Sequence, residues 1–325
     1  MPTASATSRR LLLLTAMLVF GVYLALACAV DSGHLARGLH ALGTGGIALV
    51  LGSSLCNYAL RFWRWDHYLQ ALGHRVPRGW QLACYLGGFA FTISPGKAGE
   101  AARGLYLRRQ GIGFGQSLSA LFVERLQDVL AICLLLALTA SSLPGCRAIG
   151  SALGLSLLLV ALALTRPGLS RWLAACAPAT GRLGKALRGI AAMLSSARQL
   201  LAVRPFFSML ALSTLAWGAE GFGLYWLSHS AGLSLGPAQA TAIYTISVLG
   251  GAAAFFMPAG LGGMEAAMTA LLVASGATLS TAFGITALCR FATLWFAVLL
   301  GFLALLWLER RPHHSRPNAP QSVRP

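Results

Sequence analysis

From Ala282 to Leu308 the chain runs 27 residues with a single charged side chain, Arg290. As a helix that run measures about 40 Å, more than the ~30 Å hydrocarbon core of a bilayer. It is continuously apolar rather than alternating, so it suits a membrane helix and not a strand of a barrel. Comparable runs occupy Leu11–Val30, Thr44–Phe62, Gln116–Ala140, Ile149–Thr165 and Phe206–Ser228. Composition agrees: 57% of residues are hydrophobic and 10% charged, with mean hydropathy +0.70. A soluble domain carries roughly 25% charged residues.

Two further apolar stretches, Trp80–Arg109 and Ala238–Ser275, are interrupted by Pro/Gly turns at Pro95-Gly96 and at Pro258 and Gly260. Each fits two short helical pieces, a re-entrant hairpin or a tight pair of spans, leaving on the side it entered. The expected fold is all-α: a polytopic membrane helix bundle of about six full spans plus two broken or re-entrant helix pairs, eight or more membrane helices. Residues 1–310 form one membrane domain, with repeat halves at about 44–140 and 206–308, and 311–325 form a disordered cytoplasmic tail. Leu11–Val30 follows Arg9-Arg10 and resembles a signal peptide, but with so many later spans it is expected to stay as an uncleaved first helix.

The net charge is +17. Its basic residues mostly flank apolar spans, so it indicates membrane topology and anionic lipid rather than nucleic acid. Arg9, Arg10, Arg61, Arg64, Arg75, Arg78, Arg103, Arg108, Arg109, Arg310, Arg311 and Arg316 fall on one side, the opposite loops holding only Arg37 and Arg147. The segment Arg166–Arg204 adds seven basic residues and no acidic one, and its C-terminal part reads as an amphipathic helix on the inner leaflet or a solvated connector. Under the positive-inside rule both termini lie in the cytoplasm, in a multi-pass protein of the bacterial inner membrane. The seven cysteines show no metal spacing, and neither a cofactor nor a metal is expected.

The two broken stretches resemble one another. Glu100 and Glu265 are 165 residues apart, and the same offset pairs Phe91 with Phe256, Gly111 with Gly276 and Arg125 with Arg290. Leu86-Gly87-Gly88 matches Leu249-Gly250-Gly251 at an offset of 163. Three spans separate the stretches, so the halves are expected to be an inverted-topology repeat, an architecture of alternating-access transporters with a midplane site.

Eight acidic residues are present, of which Asp31, Asp66 and Glu309 lie at membrane edges and are expected to be solvated. Glu100, Glu124, Asp128, Glu220 and Glu265 lie in or beside apolar spans, as do Lys97, Arg125 and Arg290. A charge there costs at least about 2.5–3.5 kcal/mol, which marks these residues as site candidates. Glu124 and Asp128 share a helix face and either neutralise Arg125 to fix packing or form part of the site. Glu100 and Glu265 each follow a helix break, where they cap the next half-helix or meet cations of the site. Lys97, Arg125 and Arg290 supply positive charge suited to a phosphate. Arg61 and Arg64, at the end of "CNYALRFWRWD", either bind lipid phosphates beside a belt of Phe62, Trp63 and Trp65 or serve as ordinary anchors. Asn57, one turn deeper, is placed facing Glu220.

"NYALRFWRW", "SPGKAGEAAR", "ERLQDVL" and "PAGLGGMEAA" together resemble the motif set of the lysylphosphatidylglycerol synthase transmembrane-region family, also called flippase-like, over about residues 10 to 310. Its members include the lipid-translocating half of the multiple peptide resistance factor and proteins associated with polyprenyl-linked glycan or hopanoid lipids. The resemblance implies handling of an anionic lipid and assigns motif positions Lys97, Glu100, Arg103, Glu124, Arg125, Asp128 and Glu265. The synthases carry a large soluble aminoacyltransferase domain, whereas a short tail follows the last span here, so lysyl transfer by this chain is not expected. The leading reading is a lipid transporter or flippase with no catalytic residues, taking membrane lipids with anionic headgroups as its partners and enzymes of lipid biosynthesis as further ones. An intramembrane enzyme, or an accessory subunit of lipid-linked glycan or envelope lipid synthesis, is the alternative.

Overall fold

The computed structural model describes residues 42–310 except 93, 95–97, 141–143, 165, 179, 255–256 and 258–259, together with positions 21 and 40. The expected first span and the tail lie outside the described residues. Helices form throughout and no strand occurs among the described residues. Helix α1 covers 42–71. It is followed by α2 (Arg78–Phe89), a 3-10 turn (Ala98–Ala102), α3 (Arg103–Leu107), α4 (Phe114–Thr139) and α5 (Pro144–Leu164). After these come α6 (Pro167–Cys176), α7 (Gly181–Leu200), α8 (Val203–Ser230), α9 (Pro237–Ala253) and α10 (Gly263–Ala274). The last helix runs through α11 (Leu279–Arg290), a π turn (Phe291–Trp295) and α12 (Phe296–Arg310).

Two of these helices are long and apolar enough to cross a membrane on length and composition, Gly145–Leu164 and Leu279–Arg310. The first presents Ile149, Leu155, Leu159, Val160 and Leu162 outward. In water such a face is a liability; in a bilayer it is the ordinary lipid surface. Helices α1, α4 and α8 are equally long, at 30, 26 and 28 residues, but carry ionisable groups that they turn inward. Expected spans and observed helices coincide closely at Phe114–Thr139 and Val203–Ser230. The difference lies in α1, which does not stop at Phe62 but continues a further two turns and more, to 71. Arg61 and Arg64 need no water because they meet carboxylates on α4.

The interrupted stretches form two hairpins, α2 with the 3-10 turn and α3, and α9 with α10. Their pieces have 12, 5, 17 and 12 residues, short of the roughly 20 that a crossing requires. Helix α4 occupies the centre, packing on α3, α5, α7, α8 and α9, while α12 closes on α2. That last contact runs backbone to backbone. A β-carbon at Gly301 would lie 2.3 Å from the Ala90 amide nitrogen and 3.0 Å from the Leu86 carbonyl oxygen.

Because the obstruction is main chain, Gly301→Ala is expected to destabilise the protein by about 1–3 kcal/mol or more. Gly218→Ala, where nothing lies within 4 Å of the added carbon, is expected to leave stability unchanged or slightly raised. Thermal unfolding in detergent, monitored by helical circular dichroism, separates the two.

Candidate functional site

Both hairpins bring a glutamate back against the helix that precedes the break. After α2 the chain turns through Phe91 N–H to Gly88 O (3.1 Å) and Thr92 N–H to Phe89 O (3.1 Å). It returns as the 3-10 turn beside Gly88, where a β-carbon would sit 3.6 Å from Glu100 O. Thr92 Oγ1 donates to Glu100 Oε1 at 3.3 Å. In the second hairpin a β-carbon at Gly251 would lie 3.0 Å from the Met264 β-carbon. Gly260 and Gly262 have φ of 65° and 87°, a region that side-chain-bearing residues rarely enter. At Gly260 a β-carbon would also fall 2.6 Å from Gly251 O. The Gly262 N–H donates to Glu265 Oε2 at 2.8 Å, so Glu265 caps the first turn of α10. Lys97, Pro95, Gly96 and Pro258 lie outside the described residues.

Glu124, fully buried on α4, collects four arginines from three helices. Arg103 of α3 bonds its Oε2, while Arg125 Nη2 donates to Oε1 at 3.0 Å. Arg64 and Arg61 of α1 approach the same oxygen at 3.4 and 3.5 Å, and Tyr85 O–H donates to it at 3.2 Å. One turn on, Asp128 takes Arg64 at 2.8 Å and Arg61 and Arg125 at 3.2 Å each. Glu100 reaches Arg125 at 3.6 Å. The guanidinium of Arg103 lies 3.6 Å above the Trp65 ring, and Arg64 bonds Ser213 of α8. Four cations against three carboxylates leave a surplus of one positive charge in this cluster.

The second hairpin repeats the pairing. Arg290 Nε donates to Glu265 Oε1 at 2.6 Å, and Arg125 with Glu100 is the same 25-residue relation one repeat earlier. Arg290 ends α11 where the π turn begins, and Tyr58 of α1 donates its O–H to Thr293 O in that turn at 2.8 Å. π turns of this kind recur at functional sites, where they displace a helix face by one residue.

A cavity of about 280 Å³ lies between the two hairpins. Its walls carry Arg61, Glu100, Arg125 and Asp128 from one side and Arg290 and Gly260 from the other, with Asn57, Tyr58, Trp217, Glu220 and Tyr244 between. Arg125 is the least covered of the cluster arginines, its side chain 29% exposed against 0–8% for Arg61, Arg64 and Arg103. The buried Nε atoms of Arg61 and Arg125 and the Trp217 indole N–H have no hydrogen-bond partner among the described residues. Unpartnered buried nitrogens occur on Arg64 and Arg103 as well, and Glu100 Oε2 and Asp128 Oδ1 are likewise without a hydrogen-bond donor, so these atoms belong to the whole charged cluster and do not mark the cavity. Glu220 accepts from Ser54 Oγ at 3.3 Å. Across the π turn lies an apolar cleft of about 500 Å³ that includes Leu42, Val50, Leu288, Phe291, Trp295 and Phe302.

The expected residues that the structure describes therefore converge, with four corrections. Arg61 and Arg64 are not interfacial anchors: they are 7% and 0% exposed and neutralise α4. Trp65 is buried under Arg103 instead of joining Trp63 in a belt, and Asp66 is buried with Gln70 Nε2 donating to it at 2.9 Å. Asn57 does not bond Glu220; its amide donates to Ala216 O one turn earlier on α8, at 2.9 Å, though both line the cavity. The tyrosines 58 and 85, Thr92 and Trp217 were not legible as site residues. In so apolar a chain an aromatic or hydroxyl side chain carries the same sequence signal whether it serves the core or the site.

Arg64→Ala leaves two buried carboxylates short of a partner and is expected to cost about 3–5 kcal/mol, enough to lose the folded protein from detergent extracts. Arg125→Gln, at the cavity edge, is expected to cost markedly less and to give a protein that purifies normally. Size-exclusion profiles and thermal midpoints of the two variants check this division between scaffold and site.

The chain matches the family model described as the lysylphosphatidylglycerol synthase TM region over residues 11–301. No curated protein matches it. With most of its length matched, the chain belongs to the lysylphosphatidylglycerol synthase transmembrane-region family of membrane proteins.

Proposed function

We propose that this protein is a lipid transporter of the bacterial inner membrane, with both termini cytoplasmic, that moves an anionic, phosphate-bearing lipid between leaflets. The observation that carries this reading is the cavity lined by both Arg125 and Arg290, each paired with the glutamate of the hairpin before it. A phosphate entering there competes with Glu100 for Arg125 and with Glu265 for Arg290, so it replaces ion pairs rather than adding uncompensated charge. Glu220 on the same wall accepts from hydroxyl or amine groups elsewhere on the headgroup. At about 280 Å³ the cavity suits a headgroup alone, and the apolar cleft beyond the π turn suits chains that stay in hydrocarbon.

Glu100 and Asp128, two of the carboxylates that line the cavity, are engaged by Arg125, which favours a role in binding over one as a catalytic base. The matched hairpins, each too short to cross, support an inverted repeat whose halves alternate around the cavity.

In liposomes containing a fluorescent phosphatidylglycerol, leaflet-specific quenching is expected to show protein-dependent movement. Arg125→Gln, Arg290→Gln and Glu100→Gln are each expected to slow it by at least about tenfold, the weight of one charge-assisted hydrogen bond at about 1.5–3 kcal/mol. A modified lipid product without movement would replace this reading with an enzyme, and neither product nor movement would leave an accessory role.

Topology is checked separately by adding single cysteines at the exposed positions Ser234 and Ala186 of a cysteine-free protein. A membrane-impermeant maleimide is expected to label them from opposite faces of intact cells and inverted vesicles. Labelling of both from one face overturns the inverted arrangement.

A further inference from the structure

The hairpin of α6 and α7 lies outside the charged cavity, and its geometry has no role in it. The segments Leu183–Leu200 and Pro205–Ser230 meet at 85°. Helix α8, 28 residues and roughly 40 Å long, is suited to stand along the bilayer normal. Helix α7 then lies in the membrane plane. Its apolar residues Leu183, Leu187, Ile190 and Leu194 recur at helical spacing and form one stripe.

That stripe is covered by the protein at one end only. Towards the C-terminus Leu194, Ala197 and Leu200 are buried, Ser119 Oγ of α4 donates to Met193 O at 3.0 Å, and Gln199 Nε2 donates to Ala71 O of α1 at 2.6 Å. Towards the N-terminus the same stripe continues past the edge of the bundle, with Leu183 65% and Ile190 44% exposed. Helix α6 packs alongside and adds Leu169 and Trp172, the latter 61% exposed. Exposed Lys185 lies on the side of α7 opposite the stripe, Arg188 lies on its flank with Nη1 donating to Pro178 O at 2.7 Å, Arg171 is exposed on α6, and no acidic residue occurs between Arg166 and Arg204.

We propose that this hairpin is a docking platform for anionic phospholipid headgroups of the leaflet it lies on, separate from the charged cavity. The occupant follows from the pairing of features. An acidic soluble partner would match the basic residues but leave Trp172, Leu183 and Ile190 in water, and a zwitterionic leaflet would cover the apolar stripe but offer no net negative charge to a segment whose charged residues are all basic. Continuity of the stripe with the α4 contact holds the platform rigidly at the depth where acyl chains meet headgroups. The fixed α7 thereby keeps a patch of anionic lipid beside the helices that carry Glu124, Asp128, Arg61 and Arg64.

The test reads lipid contact, not transport, so it fails or succeeds independently of the proposed function. The full-length protein is placed in nanodiscs of phosphatidylcholine containing a minor fraction of phosphatidylglycerol, with bromine on the acyl chains of one lipid or the other. The fluorescence difference between the wild-type protein and Trp172→Phe isolates position 172. Brominated phosphatidylglycerol is expected to quench that signal more than its share of the lipid predicts, and high salt is expected to weaken the excess. Arg171→Gln with Lys185→Gln, at exposed positions and with an unchanged thermal midpoint, is expected to lower the preference by about tenfold or more. Equal quenching by both lipids at their bulk ratio overturns the anionic preference. A Trp172 signal shielded from aqueous quencher but untouched by either brominated lipid places a protein there instead, and a signal open to aqueous quencher alone shows a solvated connector; either result overturns the proposal.

Discussion

One carboxylate organises this bundle. Glu124 sits where no water reaches it, and an isolated charge there would be expelled or neutralised. It is kept by four guanidinium groups that arrive from α1, α3 and α4, so three separate helices must be in register before its cost is offset. The arginines are equally dependent on it. Arg64 and Arg103 have no exposure to speak of, and each meets a carboxylate, a hydroxyl or an aromatic face. Polar groups in a membrane domain are therefore concentrated instead of scattered, and the remaining helix surfaces are left free to face lipid.

The same economy explains why a site forms at the edge of the cluster. Charges enclosed by the protein on all sides, such as Arg64, are scaffold. Arg125 and Arg290 are held by carboxylates on one side and border the cavity on the other. They hold matching places relative to the two hairpins, each on the long helix that follows its hairpin and 25 residues after that hairpin's glutamate. The absence of a side chain at Gly88 and Gly251, where a β-carbon would lie 3.6 Å from Glu100 O and 3.0 Å from the Met264 β-carbon, lets each return turn pack against the preceding helix, from which its glutamate reaches that arginine. Under the proposed function an incoming anion would exchange partners with groups already paired.

How much of this was legible beforehand depends on the residue type. Charged residues in apolar runs stand out because each is costly, so Glu100, Glu124, Asp128, Glu265, Arg125 and Arg290 were identifiable one by one, and the matched spacing of Glu100 to Arg125 and Glu265 to Arg290 already linked them. Arg61 and Arg64 were visible too, but a basic residue near the end of a span carries the same local signal whether it meets headgroups or a carboxylate on another helix. Tyr58, Tyr85 and Trp217 had no signal of their own. Asp66 looked solvated because it follows a run of aromatics at an apparent membrane edge, and only the continuation of α1 to residue 71 buries it.

Sequence by itself determined that the chain is helical and membrane-embedded, that two stretches break at glycine and proline, and which ionisable groups are too costly to be incidental. These follow from transfer energies and backbone geometry, which act locally. Tertiary structure decided which cation meets which anion, that α1 carries its arginines inward, and that the two hairpins share one cavity. Those outcomes depend on distances between helices as much as 235 residues apart in the chain, such as Tyr58 with Thr293, and no local energy term encodes them.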